Sequence, residues 1–202
     1  MPNYRTAWPL KWLIGWLRKT SPNIEPVVLR ILMTTVALIP HQTSAAGGVE
    51  SLTVDVMLQN DRLILNYSLA GDLEMIRIPP PGPTERKDKL WRHCCFEAFL
   101  GDGAAYEEIN LSPSGAWAHY RFSDYRQALP NDPDIAVPKI DTERGEGLFT
   151  LQAKVAMPPG FTTLGLSAVL EDRQGQLSYW ALTHPSDKPD FHHPDARTLK
   201  LA

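Results

Sequence analysis

Hydrophobic and polar positions alternate along three short runs between residues 90 and 126, namely LWRHCCFEAFL, YEEINL and AWAHYRF. Side chains point alternately to the two faces of a strand, so each run predicts a strand with two unlike faces. One set of positions is mainly apolar: Cys94, Phe96, Ala98, Leu100, Ile109, Leu111, Ala116, Ala118, Tyr120 and Phe122. The alternate set, the predicted polar-aromatic face, contains Trp91, His93, Cys95, Glu97, Tyr106, Glu108, Asn110, Trp117, His119 and Arg121. Short connections favour antiparallel neighbours, so we expect this second set on one side of one sheet.

Alternating runs also recur before and after this central block, with turn residues between them. They cover residues 52–58, 63–69, 149–155, 164–170, 177–182 and 198–201. Short strands at intervals of eight to twelve residues are typical of antiparallel β-sandwiches. The pattern therefore predicts an all-β fold, a jelly-roll or immunoglobulin-like sandwich that spans residues 27–202.

Residues 1–26 have a different character and are predicted to form an N-terminal extension. Trp8, Trp12 and Trp16 are four residues apart, and basic residues follow them, which favours a short amphipathic helix. Residues 8–19 could contact a membrane surface or dock on the domain, and the alternative is an extension with little structure. The segment is too short to span a bilayer.

Residues 27–48 allow two interpretations. An apolar run that follows basic residues and leads to Ser44, Ala45 and Ala46 fits a signal peptide, which would send the protein to the periplasm. Arg30 interrupts the apolar run, however, and the leader would be unusually long. The alternative is a first strand at residues 33–39 that ends at Pro40, in a protein that stays in the cytoplasm.

Composition narrows the class of protein. Hydrophobic residues make up 43% of the 202 residues, which is enough for a folded core. The formal net charge of −3 gives no basic surface for nucleic acid, and no glycine-rich phosphate loop is present. Cys94 and Cys95 are adjacent, which disfavours a disulfide between them, and two cysteines are too few for a zinc site. A catalytic thiol at Cys95, assisted by His93, is a further alternative.

Two sets of residues could support catalysis. Histidines and aspartates near the C-terminus could bind a metal ion: His184, Asp187, Asp190, His192, His193 and Asp195. Their spacing matches no known metal motif, and a structural loop is the simpler interpretation. Glu97, Glu107 and Glu108 could supply the carboxyl pair of a glycoside hydrolase, which requires a fixed separation across a cleft.

The polar-aromatic face favours non-catalytic binding of a carbohydrate or an amino-sugar. Sugar rings pack their C–H faces on aromatic rings, and their hydroxyl groups bind planar polar side chains. Side chains of both kinds occur in the set: Trp91, Glu97, Tyr106, Asn110, Trp117, His119 and Arg121. The alternative is a solvent-exposed face, or one that another chain covers.

The central block resembles the DOMON-like family of β-sandwich ligand-binding domains, which are related to carbohydrate-binding family-nine modules and occur in bacteria. The similarity rests on ALIPH, LAGDLEMIRIPPP, LWRHCCFEAFL, YEEINLSPSGAWAHYRFSDYR and PDFHHPDARTLKL. The resemblance implies a jelly-roll-like sandwich that binds a sugar or haem without catalysis. Cys94 stands where the family motif usually has threonine.

Some residues match the family motif: Trp91, Glu97, Asn110, Trp117, Tyr120, Phe191, His192 and His193. The full set predicted to bind a small carbohydrate-like ligand is Trp91, His93, Glu97, Asn110, Trp117, Tyr120, Arg121 and His192. No catalytic residue, metal or cofactor is predicted. Haem is the alternative that the resemblance implies, with Met75 and either His184 or His192 as axial ligands.

Overall fold

The computed structural model describes residues 31–44, 47–59, 61–132, 135–157 and 160–201. The predicted helical extension and its membrane-contact segment, residues 8–19, lie outside the described residues. Within these ranges, no helix is both long enough and apolar enough to cross a bilayer.

Strands account for nearly all the regular structure of the described residues. In chain order they are β1 Ile31–Pro40, β2 Val49–Gln59, β3 Arg62–Gly71, β4 Cys95–Asp102, β5 Ala105–Leu111, β6 Trp117–Asp124, β7 Gln127–Ala128, β8 Lys139–Arg144, β9 Leu148–Ala156, β10 Thr163–Glu171, β11 Leu177–Ala181 and β12 Leu199–Lys200. Two single turns of 3-10 helix occur, at Leu90–Arg92 and Pro194–Ala196.

The strands form one strongly curled sheet in the order β7-β6-β5-β4-β10-β11-β1-β2-β3-β9-β8, and β12 also pairs with β10. Every strand ladder is antiparallel. β1 joins two halves, because residues 31–38 pair with β2 whereas Ile39 and Pro40 pair with β11. We call β2, β3, β9 and β8 half A, and β11, β10, β4, β5, β6 and β7 half B.

The two halves share one hydrophobic core. Leu65 and Leu151 of half A are fully buried in it, as is Leu166 of half B. Across the core, the ring of Phe96 lies 6.2 Å from that of Phe149 and 5.0 Å from that of Tyr67. Burial of each large apolar side chain contributes about 1.5–3 kcal/mol, so this shared core stabilises both halves together.

The structure confirms an all-β antiparallel fold. The predicted first strand at residues 33–39 corresponds to β1, which ends at Pro40. The β-sandwich stays a prediction, because β1 connects both halves into one continuous sheet. The domain boundary at residue 27 also stays a prediction.

One part of the predicted polar-aromatic face is wrong. Trp117 pairs with Leu111, and His119 pairs with Ile109. Because paired residues share a face, and because Leu111 and Ile109 both face the core, Trp117 and His119 face the core side of the sheet. Arg121 follows His119 by two residues and lies on the same face. The turn between β5 and β6, where the Ser112 N–H donates to the Ala116 carbonyl at 2.9 Å, is consistent with this register. Trp117 and Arg121 therefore lie on the face opposite Glu97 and Asn110.

Candidate functional site

The principal cavity of the described residues lies on the outer face of half B, away from the shared core, and has a volume of about 490 Å³. Strands β4, β5, β6, β10 and β11 form its floor and sides. The segments around Trp91 and Phe191 complete its walls. This outer-face cavity falls in the size range of small-molecule sites, roughly 300–1,000 Å³.

Two buried carboxyl groups form part of its floor. Glu97 of β4 pairs with Asn110, and Glu108 of β5 pairs with Phe99, so the two glutamates are diagonal neighbours on one face. Glu97 is 2% exposed and Glu108 is 5% exposed. The Ser167 hydroxyl donates to Glu97 Oε2 at 3.0 Å. Asn110 Nδ2 donates to Glu108 Oε1 at 2.7 Å.

Burial changes the acidity of both groups. Desolvation, together with the nearby charge of Glu108, raises the pKa of Glu97 to about 8. Desolvation also raises the pKa of Glu108 to about 7, although the hydrogen bond from Asn110 and the charge of Arg126 oppose this. Both carboxyl groups therefore titrate near neutral pH, where most exposed glutamates are fully ionised.

Aromatic rings flank the floor on two sides. The rings of Trp91 and Tyr120 are 6.1 Å apart, edge to face, and those of Tyr179 and Phe191 are 6.2 Å apart. Tyr120 is on β6 and Tyr179 on β11, and each strand is two places from β4 in the sheet. Each aromatic pair is therefore displaced from Glu97 by about 10 Å along the sheet, at about 4.8 Å per strand.

The chain segment after residue 188 contributes His192 to the cavity. The Tyr106 hydroxyl accepts from the Arg126 N–H at 3.0 Å and lies 2.8 Å from His192 Nδ1, so it donates its own proton to that nitrogen. Nε2 then carries the imidazole proton, and it lies 3.7 Å from Glu108 Oε2. Burial and the charge of Arg126 lower the pKa of His192 to about 4, so the ring is neutral.

Asp190 anchors this segment to the sheet by hydrogen bonds. Its carboxylate accepts from the Tyr125 hydroxyl at 2.7 Å and from Arg126 Nη2 at 2.9 Å. Burial alone would raise the pKa of Asp190, but these two donors outweigh it and lower the pKa. The backbone N–H of His192 donates to the same carboxylate at 3.2 Å, so Asp190 also helps to position the cavity residue His192.

A second anchor lies beside the first. The guanidinium of Arg197 lies 4.8 Å from the ring centre of Tyr106, and its Nη2 donates to the Gly103 carbonyl at 3.1 Å. A side chain at Gly101 would collide with Arg197, because its Cβ would lie 2.5 Å from Nε. Glycine at this position therefore allows the arginine to lie directly on the sheet.

The predicted ligand-binding residues divide into three groups. Trp91, Glu97, Tyr120 and His192 line the outer-face cavity. Asn110 is fully buried on the same face and supports Glu108. The remaining three lie elsewhere: His93, Trp117 and Arg121.

His93 lies outside the cavity. Its Nδ1 is 2.7 Å from Glu171 Oε2, and its side chain is 68% exposed. It therefore forms a surface ion pair with Glu171 when protonated, and it does not assist Cys95. The Cys95 thiol donates to Asn110 Oδ1 at 3.4 Å. Complete burial raises the pKa of Cys95 well above its usual range, so the pair proposed for a catalytic thiol is not assembled.

Trp117 and Arg121 line a second cavity, of about 360 Å³, on the opposite face of half B. There His119 Nε2 lies 2.8 Å from Glu107 Oε2, and Arg121 pairs with Asp132 at 3.2 Å. Of the three glutamates considered for glycoside hydrolysis, Glu107 is therefore separated by the sheet from the other two.

The C-terminal histidines serve structural contacts. Within the described ranges, no group of three or more His, Cys, Asp or Glu side chains converges on a metal position. His193 Nδ1 accepts from the Asp195 N–H at 3.2 Å, and His184 Nε2 donates to the Ile39 carbonyl at 2.9 Å. Met75 packs beside Gly48 at the end of half A. The haem alternative stays a prediction.

Sequence reasoning missed several cavity residues. They are Arg92, Phe99, Phe122, Arg126, Val169, Leu177, Tyr179 and Pro189. Glu108 and Phe191 also line the cavity, although the sequence indicated them only as a candidate catalytic carboxyl and as a motif match. Strand parity is the signal that could have identified Phe99, which lies two residues from Glu97 on the same face. Arg126 and Pro189 lie in connecting segments, where alternation gives no information.

The fold is similar to that of a protein from Bacteroides uniformis ATCC 8492 described as a "putative carbohydrate-binding protein". The two chains superpose with a TM-score of 0.57 and 12% sequence identity, over 81% of this chain and 83% of the other. No family model and no curated protein sequence matches this chain. At this identity the similarity shows the fold alone.

Proposed function

We propose that the protein binds a small carbohydrate in the outer-face cavity and does not transform it. The observation that carries this proposal is the combination of aromatic rings at the sides of the cavity with carboxyl groups at its floor. Rings can stack on the C–H faces of a sugar, and carboxyl oxygens can accept hydrogen bonds from its hydroxyl groups. The similarity to a protein described as carbohydrate-binding gives weak additional support.

Trp91 and Tyr120 are proposed as the stacking residues, because their rings meet edge to face at one side of the cavity. Glu97, Glu108 and His192 are proposed to bind polar groups of the ligand. Asn110 is proposed to orient Glu108 rather than to contact the ligand, since its amide group already bonds that carboxyl. Membership of the DOMON-like family and a β-sandwich architecture are part of the same proposal.

Two further parts of the proposal concern the protein as a whole. A cytoplasmic location is supported by the role of β1 in joining β2 to β11, because cleavage near residues 44–46 would remove that strand. The absence of haem is supported by the protein contacts of His184 and His192.

Binding can be tested by isothermal titration with a panel of mono- and disaccharides. Trp91→Ala is expected to weaken the affinity for the bound sugar at least about tenfold, since aromatic contacts contribute on the order of 1 kcal/mol beyond area burial. Leu148→Ala on β9 is the matched control, because Leu148 is 45% exposed and Trp91 is 40% exposed. Equal affinities for wild type and Trp91→Ala would contradict the proposed stacking role, and the absence of any sugar binding would contradict the function.

Glycoside hydrolysis is the second candidate, and a specific observation favours it. Glu97 and Glu108 are neighbouring buried carboxyl groups whose pKa values are raised to about 8 and about 7, as general acids require. Nitrophenyl glycosides of the sugars that bind distinguish the two functions. The proposed binding function predicts no release of nitrophenol, whereas release that Glu108→Gln abolishes would establish a hydrolase.

A further inference from the structure

We propose that the ligand carries a protonated amine, which the cavity holds against Glu97 and Glu108 and beside its aromatic rings. This inference rests on the proposed carbohydrate-binding function and narrows the ligand class to sugars with a free amino group. Neutral and N-acetylated sugars would be bound less tightly.

The first observation is that the two floor carboxyl groups lack a cationic partner in the protein. In the part of the chain that the structure describes, no lysine or arginine nitrogen lies within 4 Å of a carboxyl oxygen of Glu97 or Glu108. The basic side chain within 4 Å of them is His192, whose pKa is lowered to about 4, so it is neutral at ordinary pH; the charge of Arg126 acts on Glu108 from farther away. Ser167 and Asn110 supply one hydrogen bond each, but neither supplies charge.

Buried carboxylates without a positive partner are unfavourable, and they take up a proton instead. A ligand that brings its own positive charge removes this penalty for both groups at once. A neutral sugar can hydrogen-bond to the protonated groups, but it supplies no positive charge that would stabilise their ionised form. The floor therefore favours a cationic ligand over a neutral one of the same shape.

The aromatic sides act in the same direction. The face of an aromatic ring is electronegative and attracts cations, most strongly when water is excluded. Trp91, Tyr120, Tyr179 and Phe191 all border the cavity. Rings with carboxyl groups between them form the combination that recognises substituted ammonium ions.

The arginine near the floor does not cancel this preference. The guanidinium of Arg126 is held by the Asp190 carboxylate at 2.9 Å, on the side of the C-terminal segment. Arg92 also lines the cavity, but its side chain is exposed to solvent and forms no ion pair with Glu97 or Glu108.

Few groups around the floor change charge between pH 6.5 and 8.5. The titratable side chains that face it from each element are Cys95, Tyr106, Tyr120, Tyr179, Arg92, Arg126, Asp190, His192 and Arg197. Burial raises the pKa values of Cys95 and Tyr120, which moves both farther above this window, and it lowers that of His192 to about 4, below the window. Glu97 and Glu108 therefore dominate proton exchange there.

Binding of an ammonium group should consequently release protons from the floor. Titration of the full-length protein with D-glucosamine at pH 6.5, in two buffers of different ionisation enthalpy, measures this release directly. N-acetyl-D-glucosamine and D-glucose serve as neutral probes with the same ring. We expect D-glucosamine to bind at least about tenfold more tightly than either neutral sugar, a difference of about 1.4 kcal/mol, with net proton release.

Glu97→Gln and Glu108→Gln test the role of the floor. Each substitution is expected to reduce the affinity for D-glucosamine at least about tenfold and to reduce the proton release, while neutral sugars are affected less. Glu143→Gln on the exposed face of β8 is the control and should change neither quantity. Thermal unfolding shows whether each variant is folded. If one of the two glutamine variants does not fold, the other one still tests the role of the floor.

The outcomes separate the two proposals. Equal binding of all three sugars without proton release would overturn the ammonium inference and leave the carbohydrate function in place. Absence of binding by every sugar and by tetramethylammonium chloride would overturn both. Tetramethylammonium chloride provides a further probe, since its binding in the absence of sugar binding would support the cation site while it contradicts the carbohydrate function.

Discussion

Glu97 shows how a single side chain couples the binding site to the stability of the fold. It lies in the middle of half B, is almost completely buried, and its raised pKa reflects burial first and the neighbouring Glu108 second. The folded protein therefore binds a proton at Glu97 more tightly than the unfolded chain does. Such a group contributes stability that is fully present below its ordinary pKa and is lost as the pH rises through the folded value of about 8.

We therefore expect the free energy of unfolding of the wild-type protein to fall by about 2 kcal/mol between pH 6.5 and 8.5. Glu97→Gln should reduce this dependence and should be more stable than the wild type at pH 8.5, because the amide has no charge to bury. Urea denaturation at several pH values measures both effects. A wild-type stability that is constant or rises over this range would contradict the assignment.

The role of Asn110 could not be predicted from the sequence alone. Alternation placed it correctly on the same face as Glu97, and the motif suggested that it binds ligand. In the structure its amide bonds Glu108 and its carbonyl oxygen accepts from Cys95, so its polar atoms are used within the protein. A carboxamide can bond a ligand or a neighbour equally well, and only the packed geometry decides between them.

Among the elements, the segment of residues 189–197 forms one wall of the cavity. It contains only one turn of 3-10 helix and is held to half B by side chains, with Asp190 and Arg197 as its two anchors. Segments without ladder hydrogen bonds open at lower free energy than central strands, and binding sites commonly use them.

Asp190→Asn should loosen this segment without unfolding the sheet. The substitution removes the negative charge that pairs with Arg126 and weakens the hydrogen bond from Tyr125. We expect faster amide hydrogen exchange at residues 189–197, unchanged exchange in β4 and β10, and a ligand affinity reduced about three- to tenfold, because the partly buried ion pair contributes on the order of 1 kcal/mol.

Asp187→Asn is a suitable control, since Asp187 belongs to the same connecting segment but borders a different pocket. If exchange in residues 189–197 were equal in the wild type and Asp190→Asn, Asp190 would not be an anchor.

Strand parity illustrates what alternation predicts and where it fails. In β4 and β5 the apolar positions Phe96, Ala98 and Ile109 face the core as predicted. In β6 the apolar positions Tyr120 and Phe122 face outwards, because the C-terminal segment gives that face a second apolar contact, which includes Phe191. Alternation identifies the two faces of a strand, but it does not show which face packs on the main core. Where another segment covers the outer face, both faces of the strand carry apolar side chains.

For the molecule as a whole, contacts across the curl join the two halves of the sheet. Tyr67 of β3 is fully buried, and its hydroxyl donates to the backbone carbonyl of Glu97 on β4 at 2.8 Å. This bond connects half A with the strand that carries the cavity floor. The site is consequently positioned by the fold of the whole sheet and not by half B alone.

Tyr67→Phe should lower the free energy of unfolding by about 1 kcal/mol, since it leaves a buried carbonyl with one donor fewer. The urea dependence should remain a single transition with an unchanged slope, because both halves share the core. Glu143→Gln, on the exposed face of β8, should cost less than about 0.5 kcal/mol. Two separate transitions in the wild type would contradict the view that the halves unfold together.

The order of strands has one further consequence, which concerns neighbouring molecules. An open sheet has two edges whose unpaired N–H and C=O groups can recruit strands from other chains, which is a common route to aggregation. Here one edge, β7, is only two residues long, and the other, β8, reads KIDTER and carries a charge at four of its six positions. Charged and very short edge strands discourage such pairing. The two ends of this long sheet are thus protected from growth into fibrils.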